Sequence, residues 1–370
     1  MFSEYFNQFD WDKEYHSIYT KTIQEAETAL FKSHRTIEDF KALISPAAMP
    51  LLEQMAEMSH VETQKRFGKT IQLYAPLYLS NECQNICTYC GFSLDNQIPR
   101  KTLTALEILQ EIAVLKEMGY QHVLLVTGEA QHRVGMDYFT QMLPLIKKHF
   151  AQVAMEVQPL ERMDYETLHD MGVHAILVYQ ETYHREHYKS HHPRGKKANF
   201  TYRLETPDRI GQAGIHKIGL GALLGLDDWR TDSAFTARHL QYLEKRYWQS
   251  KFSISFPRLR PHSGGTVPKS IITDRELVQL ICAWRLFNND VELSMSTREC
   301  ESFRDHIIKL GITSISAGSK TNPGGYAVAP ESLEQFEIDD NRTPQEIAAV
   351  IQQAGYDPVW KDWDEALQTH

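Results

Sequence analysis

Short apolar runs alternate along this chain with longer stretches in which apolar residues recur at helical spacing. The runs at 71–79, 122–127, 153–158, 175–179, 217–222, 252–256, 291–294 and 312–316 read as strands, eight in all. Most of the intervening stretches open with helix-start chemistry. Thr104-Ala-Leu-Glu107 and Thr273-Asp-Arg-Glu276 have capping-box spacing, in which a threonine and a glutamate three residues on satisfy each other's backbone donors. Thr206-Pro207 and Thr343-Pro-Gln-Glu346 place a cap residue before a proline at the first helical position. Parallel strands need crossover helices, and a closed ring of them leaves no edge. The predicted fold is therefore α/β, a (βα)8 TIM-type barrel, whose usual length of about 250 residues the eight runs span. Residues 1–68 read as an N-terminal helical extension, with start signals at Thr36-Ile-Glu-Asp39 and Ser45-Pro46, and 69–320 as the barrel. Residues 321–370 open on Asn322-Pro-Gly-Gly325, carry a helix near 344–354 and read as a short C-terminal extension. Both ends are expected to pack on the barrel.

Composition narrows the function classes. The 370 residues are 42% hydrophobic and 24% charged, ordinary for a globular protein with a substantial core. No apolar run approaches the roughly 20 residues of a membrane span, and the acidic, aromatic start MFSEYFNQFDWDKEYH lacks the pattern of a secretory leader. A cytoplasmic location is the expectation. With 39 basic against 48 acidic residues and no long basic run, neither nucleic acid nor an anionic membrane is an expected partner.

The cysteines change the picture most. Of five, Cys83, Cys87 and Cys90 stand in one C-x3-C-x2-C segment. Clustered thiols in a reduced setting are more often metal ligands than disulfides. A structural zinc site needs four protein ligands, and no histidine follows closely enough to complete a finger. Three thiolates on a four-iron cluster leave one iron open to a cofactor or substrate. A zinc-stabilised binding module without catalysis, its fourth ligand distant, is the rival from another class. Cys282 lies in an apolar helical run and reads as core; Cys300 has no predicted ligand role.

The cysteine motif, with an aromatic before its third cysteine and Gly-Phe after it, resembles the radical S-adenosylmethionine (SAM) superfamily. Val126-Thr-Gly-Glu129, the stretch 180–188, the stretch 254–261 and Ser294-Met-Ser-Thr-Arg-Glu299 narrow the likeness to the 2-iminoacetate synthase branch, the tyrosine lyases of thiamine biosynthesis. The resemblance implies a [4Fe–4S] cluster held by Cys83, Cys87 and Cys90. It implies SAM bound by Phe92, Gly128, Glu129, Glu156, Glu181 and Arg203, with Glu129 toward the methionine amino group, Glu156 and Glu181 toward the ribose and Arg203 toward the carboxylate. The family's usual Gly-Gly-Glu reads Thr127-Gly128-Glu129 here, so the first glycine is absent. Ser296 and Arg298 are implied to grip the substrate's amino-acid end. Glu299 and Glu301 are the competing ion-pair partners for Arg298.

The implied reaction is cleavage of the Cα–Cβ bond of L-tyrosine to 2-iminoacetate and p-cresol, with SAM split to 5′-deoxyadenosine and methionine. Thiazole synthase is the implied protein partner, and flavodoxin with an NADPH-dependent reductase the implied electron supply. A tryptophan lyase, or a radical SAM enzyme of deazaflavin or biotin synthesis, is the alternative reading, since pocket shape is not readable from the chain. The tyrosine lyase of [FeFe]-hydrogenase maturation carries a further C-terminal cysteine motif, and no cysteine follows Cys300 here. His184, His187, His191 and His192 crowd one stretch, but Arg185, Lys189, Arg194, Lys196 and Lys197 would repel a metal cation, so that stretch reads as a solvated or cofactor-side loop.

Overall fold

The computed structural model describes residues 1–260, 267–329 and 334–362. Eight parallel strands close into a barrel: β1 (Thr70–Ser80), β2 (His122–Thr127), β3 (Gln152–Glu156), β4 (Ala175–Leu177), β5 (Lys217–Gly221), β6 (Lys251–Ser255), β7 (Glu292–Met295) and β8 (Ser314–Ser316). All eight predicted strands are present. The ring closes where Gln72, Leu73 and Tyr74 of β1 pair with Ser314, Ile315 and Ser316 of β8, while Ala75 to Ser80 run beside β2. β1 shows how the sequence sets two faces at strand period. Leu73, Ala75, Leu77 and Leu79 are buried in the apolar layer under the helices. Gln72, Tyr74, Pro76 and Tyr78 point the other way, into cavities of the lumen. The lumen is thus partly polar, and a ligand can enter it.

The helices start where the capping chemistry placed them, at Ala105–Glu117, Asp274–Phe287 and Pro344–Gln353, each with both capping-box bonds formed. Thr206 departs from expectation. It is the first residue of the helix Thr206–Gln212 rather than its cap, because the helix Phe200–Leu204 ends just before it and Glu205 takes the cap position. The Thr206 hydroxyl donates instead to the carbonyl of Tyr202.

Residues before β1 form helices that pack on Trp229–Arg246 and Asp274–Phe287. The backbone N–H of Phe2 donates to Asp208 at 2.7 Å, and the Phe2 ring stacks on His239. After β8 the chain crosses the barrel mouth, forms the helix Pro344–Gln353 and ends in a ninth strand, β9 (Asp357–Val359). Sequence reading missed β9, since three residues with a central proline carry almost no strand signal. It pairs with the lower part of β1, where Gln72 faces Val359 on one edge and Ser314 on the other. Pro358 is tolerated there because an edge strand need not donate on both sides.

Arg304 and Asp340 fasten this last segment, pairing with both side chains fully buried. Asp340 also accepts from Arg342. Burial acts to raise the Asp340 carboxyl, but the hydrogen bonds from Arg342 and the charge of Arg304 outweigh it and hold the carboxyl below its ordinary value. Its stabilisation is present above the unfolded carboxylate range, about 4, and is lost as pH falls through the depressed native value. Asp340→Ala leaves a buried guanidinium short of its partner and is expected to cost about 3–5 kcal/mol at pH 7. Urea titration reads this, with the deficit narrowing as wild type and variant are compared at progressively lower pH.

Candidate active site

The chemistry gathers at the C-terminal ends of the strands, as barrel geometry favours. The cysteine loop leaves β1 and is wrapped around one side chain that sequence reading did not single out. The Arg100 guanidinium donates to the carbonyls of Asn81, Phe92, Ser93 and Asn96, at 2.6–3.2 Å. Asn85, fully buried, donates to Glu129 at 2.8 Å and accepts from the backbone of Lys197 at 3.0 Å. The backbone N–H groups of Ile86 and Thr88 donate to the carbonyls of Arg194 and His191, and the Tyr89 hydroxyl lies 2.6 Å from His192 Nε2. These bonds turn Cys83, Cys87 and Cys90 into one cavity wall. Burial pushes the Cys83 thiol up to about 11 and Cys87 well above its ordinary value. Buried thiols of this kind ionise when a cation supplies the charge, and a metal does so while displacing their protons.

The opposite wall holds four charges that sequence distance kept apart. Arg203 donates to Glu129 at 2.8 Å, to Glu181 at 3.2 Å and to the Tyr179 carbonyl at 2.6 Å. Lys197 lies 2.7 Å from Glu181 and 3.8 Å from Glu129. Burial raises the Glu129 carboxyl, yet Arg203 and Lys197 outweigh it and hold Glu129 ionised, below its ordinary range. Burial and Arg203 both pull the Lys197 ammonium down, and the carboxylates Glu181 and Glu129 more than restore it. Lys197 was hidden in sequence by its neighbours, reading as part of a basic run. Among the described residues Glu181 is the only non-glycine with positive φ, at 72°. A non-glycine backbone held in that region costs about 1–3 kcal/mol, and here it carries the carboxylate into the cluster.

Between these walls lies Val126-Thr127-Gly128. A Cβ on Gly128 would meet the Glu82 carbonyl oxygen at 2.2 Å, so only glycine lets β2 pass the cysteine loop. Thr127 presents a buried hydroxyl without a hydrogen-bond partner to the same cavity. Phe92 is buried there, edge-on to Tyr78, and Leu223 lines the side near β5. Gly128→Ala is expected to push the Glu82–Cys83 backbone outward, raising KM for SAM and lowering iron content together; thermal unfolding without cofactor should change far less.

A second cavity, deeper in the lumen, shares with the first a wall made by Val126, Glu156, Tyr179, Pro257, Arg298 and Phe336. Ser296 lines only the deeper one, and its hydroxyl accepts from the Arg298 backbone at 3.4 Å. Neither neighbouring glutamate takes Arg298. Glu299 is held by Arg258, and Glu301 lies toward Arg342. The Arg298 guanidinium stacks on the Phe336 ring, 3.4 Å from its centroid, and among the described residues its one hydrogen-bond acceptor is the Arg258 carbonyl, at 3.5 Å. Among the described residues it has no carboxylate ion pair. Burial lowers its pKa, against the pull of the nearby Glu156 and Glu181 carboxylates. Phe336 and Gln335 come from the last segment of the chain and bear no motif. Gln335 accepts from the Tyr78 hydroxyl at 2.7 Å, and its amide nitrogen lies 3.6 Å from Cys90 Sγ.

The histidines are not solvated as a group. His192 is fully buried beneath Tyr89, and His184 and His187 both face the buried carboxylate of Asp227. Lys269 lies 3.1 Å from that carboxylate and 2.7 Å from His187 Nδ1, so an ammonium already fills the position a metal would take. Cys282 is fully buried, as read from its helix. The stretch 254–261 is described to Arg260; Pro261 lies outside the described residues.

Residues 77–235 match the model of the Radical SAM superfamily, and residues 255–357 that of the Biotin and Thiamin Synthesis associated domain. The chain is 53% identical to the 2-iminoacetate synthase of Escherichia coli K12 over 367 residues, 99% of this chain and 97% of that protein. The chain belongs to the 2-iminoacetate synthase family. It is accordingly a radical SAM lyase, and the superfamily's cofactors are SAM and a [4Fe–4S] cluster. The crystal structure of HydG, a maturase of the [FeFe]-hydrogenase, superposes with a TM-score of 0.89 at 31% identity, over 97% of this chain and 80% of that one. Methylornithine synthase shares the fold, with a TM-score of 0.73 at 20% identity over 90% of this chain and 97% of that one. No helix among the described residues is long and apolar enough to cross a membrane.

The site fits the family's cofactors on its own evidence. Three thiols converging on one cavity, Cys87 buried and Cys83 and Cys90 half-buried, suit a cluster with one open iron. The unpartnered Thr127 hydroxyl, the close passage at Gly128 and a neutral cluster of two carboxylates and two cations suit a zwitterionic amino-acid group beside it.

Proposed function

We propose that this protein cleaves the Cα–Cβ bond of L-tyrosine to 2-iminoacetate and p-cresol, supplying the thiazole precursor of thiamine. The supporting observation is the half-buried guanidinium of Arg298, without a carboxylate ion pair among the described residues, on the wall that joins the cysteine cavity to a deeper one lined by serine, threonine and tyrosine hydroxyls. The near full-length likeness to a 2-iminoacetate synthase agrees with it. Cys83, Cys87 and Cys90 would hold the [4Fe–4S] cluster. Gly128, Glu129, Glu181, Arg203 and Phe92 would hold SAM, the Glu129–Arg203 pair opening to take its ammonium and carboxylate, as charge-assisted hydrogen bonds favour. When bound, cluster and SAM together supply the one-electron chemistry that removes a hydrogen atom from substrate, giving 5′-deoxyadenosine and methionine.

Arg298 takes the tyrosine carboxylate, Ser296 fixes its amino-acid end, and the ring lies in the deeper cavity past Tyr74 and Ser294, whose hydroxyls are 3.1 Å apart. The walls exclude water from the reacting centre. In this reading residues 69–320 are the catalytic barrel, with 1–68 and 321–370 as extensions of it. Because 2-iminoacetate hydrolyses readily, a thiazole synthase is the expected recipient. A flavodoxin with an NADPH-dependent reductase is the expected donor, in the reducing cytoplasm. Anaerobic reconstitution with iron and sulfide, followed by dithionite, SAM and tyrosine, should yield 5′-deoxyadenosine and p-cresol. A colourless protein containing zinc would overturn the radical reading; SAM cleavage with tyrosine untouched would overturn the substrate.

A further inference from the structure

Glu156 ends β3 on the wall common to both cavities, and three neighbouring tyrosines make no use of it. The hydroxyl of Tyr74 pairs with Ser294, that of Tyr78 with Gln335 and that of Tyr179 with Ser255. Among the described residues, no hydrogen bond or ion pair reaches the Glu156 carboxylate. Glu129 and Glu181, by contrast, are fully engaged by Arg203, Lys197 and Asn85. Glu156 is half-buried at this wall; a carboxylate partly withdrawn from water without a partner is costly to keep, and such groups concentrate where protons are moved.

The product chemistry supplies the need. Tyrosine arrives with an α-ammonium carrying three hydrogens, and 2-iminoacetate leaves with a C=N–H group carrying one. Nitrogen must therefore lose one proton besides the hydrogen atom taken in the radical step. On the reading of Arg298 given above, a substrate carboxylate on that guanidinium leaves the α-nitrogen one carbon away, on the wall Glu156 shares. We propose that Glu156 is the general base that takes this proton from the substrate's α-ammonium, rather than a ligand of the SAM ribose. One N–H bond breaks heterolytically, the electron pair stays on nitrogen, and the carboxylate becomes a carboxylic acid. The substrate is then a neutral amine, and no oxidant is consumed in this step.

The electrostatic surroundings suit the role. Burial, with the charge of Glu181 added, lifts Glu156 to about 7, while Arg298, Lys197 and Arg203 pull the other way. Tyr74, Tyr78 and Tyr179 face it as neutral phenols, each raised by its own burial. A base poised near neutrality is partly ionised at neutral pH and accepts a proton readily.

The test compares wild-type and Glu156→Gln holoenzymes. Loss of a general base is expected to cut kcat for p-cresol about 100-fold or more. KM for SAM, the visible spectrum and tyrosine-independent formation of 5′-deoxyadenosine should be unchanged. Wild-type kcat/KM for tyrosine should rise with pH through an inflection near 7, and Glu156→Gln should lose that inflection. Glu156→Asp, still an acid, should regain part of the rate and the inflection, and it carries the test if the amide variant fails to load its cluster. A raised KM for SAM with p-cresol formation intact at saturating SAM would overturn the proposal in favour of a ribose ligand. An unchanged pH profile in Glu156→Gln would overturn it too. Failure of the wild-type enzyme to make p-cresol would instead sink the tyrosine-lyase reading itself.

Discussion

Cys87→Ala protein, reconstituted with iron and sulfide, is expected to remain pale and to form no 5′-deoxyadenosine from SAM. The expectation rests on geometry rather than on counting cysteines. Cys87 is buried, its backbone N–H is taken by the Ser93 hydroxyl at 3.0 Å, and its thiol faces only the cavity shared with Cys83 and Cys90. Removing one sulfur leaves two protein ligands, too few to retain a cluster built on three. Because the loop backbone is held by Arg100, Asn85 and the bonds from Ile86 and Thr88, it should keep its course in the variant. Iron content, visible absorption and 5′-deoxyadenosine should therefore collapse together while the far-ultraviolet circular dichroism stays that of wild type. Retention of cluster absorption by Cys87→Ala would show that another side chain completes the site.

Arg298→Ala separates the substrate from the cofactor. Among the described residues the guanidinium makes no carboxylate ion pair, so its loss breaks none in the free enzyme and should change stability little, although the Glu156 carboxyl, which its charge helps to hold down, should rise further. With tyrosine bound, the same change removes the partner of a desolvated carboxylate, a loss of about 2–5 kcal/mol. That corresponds to roughly 30-fold to several-thousand-fold in kcat/KM for tyrosine, at about 1.4 kcal/mol per tenfold. Cluster absorption and KM for SAM should hold. Arg298→Lys keeps the charge but not the planar fork that lies on Phe336, and should recover only part of the loss. A variant that loses its cluster would show that Arg298 supports the cysteine cavity instead.

What sequence carried, and what it could not, divides along range. The eight strands announced themselves because each is a local apolar run, and the capping boxes at Thr104, Thr273 and Thr343 because their partners are three residues apart. Cys83, Cys87 and Cys90 were legible for the same reason. Lys197 was not: its meaning comes from Glu129 and Glu181, which lie on other loops, and its neighbours disguised it as surface charge. Gln335 and Phe336 had no local signal at all, since only the return of the chain across the barrel mouth brings them to Cys90 and Arg298. The family resemblance pointed to Arg298, but local sequence alone does not tell it from Arg258; packing does, because Arg258 is consumed by Glu299 and Asp274 and Arg298 is not. Which of two arginines is spare is a property of packing, and no spacing rule reports it.

The return of the last segment also fixes when this site can exist. A ribosome that has released the barrel through β8 has delivered all three cysteines, Arg203 and Arg298. It has not yet delivered the amide that reaches Cys90, the ring beneath Arg298, or the Asp340 carboxylate that anchors both. Until residues 334–340 are in place, the mouth lacks the groups that line it beside Cys90 and Arg298. Whatever machinery delivers iron and sulfur would find its widest entrance then, before residues 334–340 settle across it.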